Sequence, residues 1–95
     1  MAIRVMHFGL GPIGAAVARQ VATRRGFKVV GAVDIDPEKV GRDVGIVAGL
    51  KRRLGAKVSS DALTALRRSK PDVVVLCTSS SLRVVTAQIE TILRA

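Results

Sequence analysis

Gly9, Gly11 and Gly14 stand in a Gly-x-Gly-x-x-Gly pattern, and Asp34 follows Gly14 by twenty residues. Lacking a Cβ, the first glycine lets a chain turn sharply, the second lets its backbone approach a bulky anion, and the third lets a helix pack against a sheet. An acid at this distance, if it ends the next strand, can accept hydrogen bonds from ribose hydroxyls. Together these are the requirements for holding a dinucleotide, with its pyrophosphate at a helix amino terminus and its sugar on a carboxylate. The amides of Pro12-Ile13-Gly14-Ala15 would face the phosphates, although Pro12 has no N–H to offer. The charge of Asp34 repels a phosphate on the ribose 2′ oxygen and favours NAD, while Lys39 and Arg42 nearby could compensate and admit NADP. Without a ligand, the glycines would be turn residues and Asp34 a loop acid or helix cap, a role that Asp36 suits better.

The pattern has force only in the right context, because nine glycines can fall into it by accident. Residues Ile3 to Phe8 are nearly continuous in apolar side chains, which predicts a strand covered on both faces, and the glycine loop follows at once. Ile13, Val17 and Val21 then recur at helical spacing, with Gly26 as a stop signal. From Phe27 to Val33 a second β-branched run leads into Asp34-Ile35-Asp36-Pro37, where Asp36 can cap a helical turn begun by Pro37. Gly41, Gly45 and Gly49 weaken any helix over Glu38 to Leu54, so a broken helix or loop is expected there.

A short strand around Lys57-Val58 and a helix capped by Ser60 or Asp61 come next, with Leu63 and Leu66 inward and Pro71 closing it. Val73 to Cys77 reads as a central strand. After the polar turn Thr78 to Ser81, Leu82, Val85 and Ile89 recur at helical spacing and predict a final helix. Alternation of this kind predicts an α/β fold: a Rossmann-like parallel sheet of about four strands in the order 3-2-1-4, with right-handed crossovers and helices on both faces. Thr78 and Ser79 would then sit at the carboxyl end of the fourth strand, beside the crevice where strand order reverses, although each serine also suits a helix cap.

Other chemistries are poorly supplied. With one cysteine and one histidine the chain has no Cys/His metal set, and the apolar setting of Cys77 marks it as a core residue. His7 falls inside the first strand, which gives it a structural place, and no Gly-x-Ser-x-Gly elbow exists. No catalytic acid or base is identified. Sixteen Lys and Arg against seven Asp and Glu give a net charge of +9, attractive to any polyanion. The cations form short clusters at expected element ends, and with Phe8 and Phe27 as the only aromatics a base-stacking platform is missing. No uncharged apolar run reaches membrane-spanning length and Arg4 interrupts any leader, so a cytoplasmic chain without a membrane partner is expected. At 95 residues it should form one domain.

Taken together, Ile3 to Gly14, Val33-Asp34-Ile35-Asp36-Pro37, Gly41-Arg42-Asp43-Val44-Gly45 and Asp72 to Ser80 resemble the amino-terminal domain of the dihydrodipicolinate reductase family over nearly the whole chain. Within that family the resemblance is to the branch of 2,4-diaminopentanoate dehydrogenase. The glycine fingerprint is shared with many dehydrogenases and only the middle and Thr-Ser-Ser segments point to this branch; homoserine-dehydrogenase-like and sugar-oxidoreductase-like domains are the alternatives. The resemblance implies that Gly9, Gly11, Pro12, Ile13 and Gly14 bind pyrophosphate, Asp34 the adenosine ribose, and Thr78 with Ser79 the nicotinamide side. Family members continue into a carboxyl-terminal domain that binds substrate, supplies proton-transfer groups and builds the subunit interface. Residues 1–95 are therefore expected to be a dinucleotide-binding domain, the first half of a larger oxidoreductase, which binds NAD or NADP without turnover on its own. Its expected partners are the dinucleotide, a substrate domain or partner chain, and a second copy of itself. A non-catalytic regulatory nucleotide-binding module and a basic nucleic-acid-binding protein are the alternatives.

Overall fold

Strand β1 (Ile3–Phe8) occupies the centre of the sheet, where Val5, Met6 and His7 are buried. The computed structural model describes residues 2–78 and 81–86. Within them β1 is followed by α1 (Pro12–Thr23), β2 (Phe27–Val33), α2 (Val44–Val47), β3 (Val58–Ser59), α3 (Ala62–Ser69), β4 (Val73–Thr78) and β5 (Ser81–Thr86). The strand order is β3-β2-β1-β4-β5. The first four strands are mutually parallel, in the expected order 3-2-1-4, and β5 adds antiparallel to the outer edge of β4.

The period of two along β1 divides the core. Val5 packs with Val75, Cys77, Val17 and Val21 on the α1 face, while Met6 packs with Ala65 and Leu66 on the α3 face. Helices thus cover both faces, as a parallel sheet requires. A second cluster on the α1 side joins Leu10, Ala18, Val29, Ala32, Val44, Ala48 and Val58, binding the glycine loop, α1 and the segment around α2 into one body. Between Val5 and Met6 the β1–β2 register slips by one residue, so that Met6 faces Gly31. The Met6 methyl lies 3.2 Å from where a Gly31 Cβ would stand, which fits the missing side chain to this fully buried methionine.

The segment from Glu38 to Leu54 is mostly turns, as the glycine spacing predicts, with one short helix at its centre. Asp43 builds it: its carboxylate accepts the amides of Gly45 at 2.8 Å, Leu54 at 2.8 Å and Gly55 at 2.9 Å. Asp61 is the cap of α3, accepting the Thr64 amide at 3.2 Å and its hydroxyl at 2.8 Å. Of the two leucines expected inside, Leu66 is buried and Leu63 half-buried.

Two expectations need correction. Helix α1 ends at Thr23 with Arg24 as its cap, so Gly26, at φ +83°, serves the turn into β2 and does not stop the helix. The final helix does not begin at Leu82: residues 81–86 are strand β5, paired from Thr78↔Ser81 to Val73↔Thr86. Val84, Val85 and Thr86 are β-branched and suit an extended ladder, and pairing satisfies the open edge of β4. An apolar run this short fits either period. Residues 87–95, which held the rest of that expected helix, lie outside the described residues.

Candidate dinucleotide-binding site

The glycine loop starts where β1 ends, and each glycine has a distinct local reason. Gly9 adopts φ +92°, a left-handed conformation that a side chain disfavours, and a Cβ there would collide with the Cys77 carbonyl oxygen on β4. Its own amide donates to the Val33 carbonyl at 2.8 Å, so the turn is fastened to both neighbouring strands. A Cβ on Gly14 would collide with the Gly9 carbonyl oxygen, which shows that α1 lies directly on the loop. Gly11 differs. It is the amino-terminal cap of α1 at φ −67°, and a Cβ added there meets nothing within 4 Å. Neither folding nor packing within the described residues demands a glycine at position 11.

Pro12 occupies the first turn of α1, where its missing N–H costs nothing. The first intrahelical bond to the loop is the Ala15 amide to the Gly11 carbonyl at 2.8 Å. The amides of Ile13 and Gly14 therefore belong to the group that a helix leaves without intrahelical acceptors. Ile13 is exposed at the same end of the helix.

Asp34 follows the last residue of β2 and closes the other side. One carboxylate oxygen accepts the Leu10 amide at 2.8 Å, and the other accepts the Asp36 amide at 2.9 Å. Burial alone would raise the pKa of this carboxyl. The amides of Asp36 and Leu10, the Lys39 ammonium and the Ile35 amide outweigh it and hold the group below the ordinary carboxylate value. A carboxylate has about four acceptor positions, so the amides around Asp34 still leave room for a ribose hydroxyl. Asp36 does not compete, since it caps the following turn by accepting the Glu38 amide at 3.0 Å.

Lys39 has a structural role that sequence reasoning missed. Its Nζ donates to the Leu10 carbonyl at 2.9 Å and lies 4.0 Å from Asp34 and 3.8 Å from Asp36. It bolts the turn after β2 to the glycine loop. The signal available was its position three residues after Asp36. Ile35 was also missed; it is 90% exposed between two acids, an unusual place for an isoleucine in a folded chain. These residues, with Phe8, Val33 and Cys77, line a crevice of about 530 Å³ at the carboxyl end of the parallel strands.

The backbone of Thr78 ends β4, at the same rim as the glycine loop, and pairs with Ser81. Ser79 lies outside the described residues, and the expected capping by Ser81 gives way to its place in β5. Cys77 is buried, and burial pushes its thiol pKa up. His7 is 1% exposed within β1, and both ring nitrogens lack a hydrogen-bond partner among the described residues. Burial pushes its pKa down to about 4, so at neutral pH it is an uncharged core residue. No described helix is long and apolar enough to cross a membrane.

Comparison with known proteins agrees with this geometry. The family described as dihydrodipicolinate reductase, N-terminus, matches residues 3–93. An amine dehydrogenase of Streptomyces virginiae is 30% identical over 81 residues, covering 85% of this chain and 22% of that protein. The structure of amine dehydrogenase from Mycobacterium smegmatis superposes with a TM-score of 0.72 at 38% identity, covering 78% of this chain and 22% of the other. A dipicolinate-bound dihydrodipicolinate reductase from Paenisporosarcina sp. TG-14 shares the fold, with a TM-score of 0.61 at 21% identity, covering 83% of this chain and 29% of the other. The chain thus spans about a fifth of the length of the amine dehydrogenases it matches. It belongs to the family of dihydrodipicolinate reductase amino-terminal domains, a nicotinamide-dinucleotide-binding fold of the Rossmann type.

Proposed function

We propose that the crevice between the glycine loop and Asp34 holds the adenosine diphosphate half of NAD, as the cofactor domain of an oxidoreductase acting on a carbon–nitrogen bond. The observation that carries this reading is the contrast among the three glycines. Gly9 and Gly14 are required by the protein's own packing, while Gly11 leaves free space beside the α1 amino terminus. A pyrophosphate in that space meets the amides of Ile13 and Gly14 and the positive end of the helix dipole. The ribose takes the remaining acceptor positions of Asp34, and the exposed Ile35 offers an apolar contact to the adenine.

NAD is favoured over NADP because the Asp34 carboxylate stands where a 2′-phosphate would fall. Lys39 already serves the Leu10 carbonyl and two acids, so it has little to spare for a phosphate. The nicotinamide end would reach the rim at Thr78 and Ser79. When bound, the dinucleotide supplies hydride transfer; the residues of this chain position it. The amine dehydrogenase names of the matching proteins support an amine and carbonyl pair as the substrate class. The fraction of their length spanned here supports a separate substrate domain, and a second copy of the chain could build the subunit interface. Residues 1–95 form the dinucleotide-binding domain in this reading.

Titration with NADH and NADPH, followed by nicotinamide fluorescence, tests the proposal. Saturable NADH binding that weakens at least tenfold in Asp34→Ala, together with weaker NADPH binding to the wild type, is expected. Equal affinity of wild type and variant for NADH would overturn the site.

A further inference from the structure

Parallel strands with antiparallel helices bring two kinds of chain end to each rim of the sheet. The rim opposite the dinucleotide crevice collects the carboxyl ends of α1 and α3 and the amino ends of β1 and β2. Contacts confirm the grouping. Arg4 stands beside Lys28 in the β1–β2 register, its guanidinium donates to the Ser69 and Lys70 carbonyls at the end of α3, and the Ile3 amide donates to Gly26. Arg52 reaches the Ala22 carbonyl near the end of α1 at 3.2 Å.

This rim is strongly and almost uniformly positive. Arg24, Arg25, Lys28, Arg67, Arg68 and Lys70 all reach it and are all exposed. None of the six has a carboxylate within ion-pair distance among the described residues. Asp72 is the one described acid at this rim, and its carboxylate already accepts the Arg4 amide at 2.9 Å. Asp34, Asp36 and Asp61 stand at the other rim, after β2 and before α3. Dipole complementarity explains Arg67 and Arg68, in the last turn of α3, but the last turn of α1 carries no cation, and Lys28 belongs to a strand.

We infer that the amino rim of the sheet is a docking surface for the phosphodiester backbone of double-stranded nucleic acid, on the side away from the dinucleotide crevice. A duplex fits because the surface offers several unpaired guanidinium and ammonium groups across one face and a single exposed aromatic, Phe27, too little to stack a run of bases, which selects backbone charge over exposed bases. Such binding is independent of sequence. It does not rest on the dinucleotide reading, since the crevice stays open.

The test is fluorescence anisotropy of the whole chain with a labelled 20-base-pair DNA duplex, at salt from about 50 to about 200 mM. With about six phosphate contacts, affinity should fall roughly a thousandfold over that range. Arg24→Gln/Arg25→Gln/Lys28→Gln should weaken binding and flatten the logarithmic salt slope by about one per lost contact, while NADH titration is unchanged. Arg67→Gln/Arg68→Gln/Lys70→Gln is a second, independent variant should the first not fold, and Arg42→Gln, on the turn after β2, should leave the slope alone. Absence of binding at low salt, a slope indifferent to both triple variants, or tighter binding to phosphatidylserine vesicles than to the duplex would each overturn the inference.

Discussion

Asp34 holds the Leu10 amide at 2.8 Å, so the acid proposed to bind the ribose also fixes the loop proposed to bind the pyrophosphate. Replacement by asparagine keeps the shape but removes the charge that two amides and Lys39 share. Asp34→Asn is therefore expected to cost about 1–3 kcal/mol of stability, read as a lower urea midpoint at unchanged slope. Asp36→Asn, which touches one exposed capping bond and a solvent-screened ion pair with Lys39, should cost less. Equal losses in the two variants would show that the Asp34–Leu10 tie carries no special weight.

The glycines separate folding from binding. Gly14→Ala forces a Cβ into the Gly9 carbonyl, and neither backbone segment can move without disturbing β1 or α1. A loss above about 2 kcal/mol is expected, in the range of overpacked core substitutions. Gly11→Ala meets open space at an ordinary φ, so its melting curve should stay within about 1 kcal/mol of wild type. Its NADH affinity should nevertheless fall at least tenfold, because the added methyl occupies the space left for phosphate. A Gly11→Ala variant that binds NADH normally would count against the pyrophosphate position.

His7 gives the molecule a pH dependence distinct from that of its aspartates. Its folded pKa, about 4, lies below the ordinary 6.5, so the unfolded chain binds more protons between those values. Stability is then full above about 6.5 and declines as pH falls toward about 4, by an amount of order 3 kcal/mol. Asp34 and Asp43 act at lower pH. Their depressed carboxyl pKa values contribute stability above the ordinary 3.8 that is lost as pH falls through the folded values. His7→Leu should flatten the upper part of the profile and leave neutral-pH stability unchanged or raised, since both buried ring nitrogens lack partners among the described residues. Chemical denaturation from about pH 7.5 to about pH 2.5 covers and distinguishes the two windows.

What the sequence disclosed follows from the range of the forces involved. The β1–loop–α1 unit was legible because glycine geometry and strand burial are local demands. Asp36, Asp43 and Asp61 illustrate the limit: the first and third announced themselves as caps by position, whereas Asp43 ties Gly45 to Leu54 and Gly55 across a loop whose path no local pattern specifies. The charge of Lys39, which could compensate Asp34 and admit NADP, is visible in the sequence, whereas its bond to Leu10, twenty-nine residues away, is not. The misassigned segment at Leu82 failed for another reason. Its apolar spacing fits both periods, and the open edge of β4, a tertiary feature, decides between them.

Lys70 offers a test of local strain. It ends α3 in the left-handed conformation, at φ 46° and ψ 61°, and is the only described non-glycine residue with positive φ. Its amide closes the helix on the Leu66 carbonyl at 3.0 Å, and its own carbonyl receives the Arg4 Nε at 3.2 Å, so the conformation is held from two sides. Pro71 follows immediately and stops the helix from running on. Neither bond uses the lysine side chain. Lys70→Gly keeps both bonds and removes the left-handed penalty of about 1 kcal/mol, an advantage reduced by the greater freedom of glycine in the unfolded chain. A small net stabilisation, at most roughly 0.6 kcal/mol in urea, is expected, whereas Lys70→Val, with its branched Cβ, should destabilise by at least as much. A valine variant as stable as the wild type would show that the αL turn is not enforced by its surroundings.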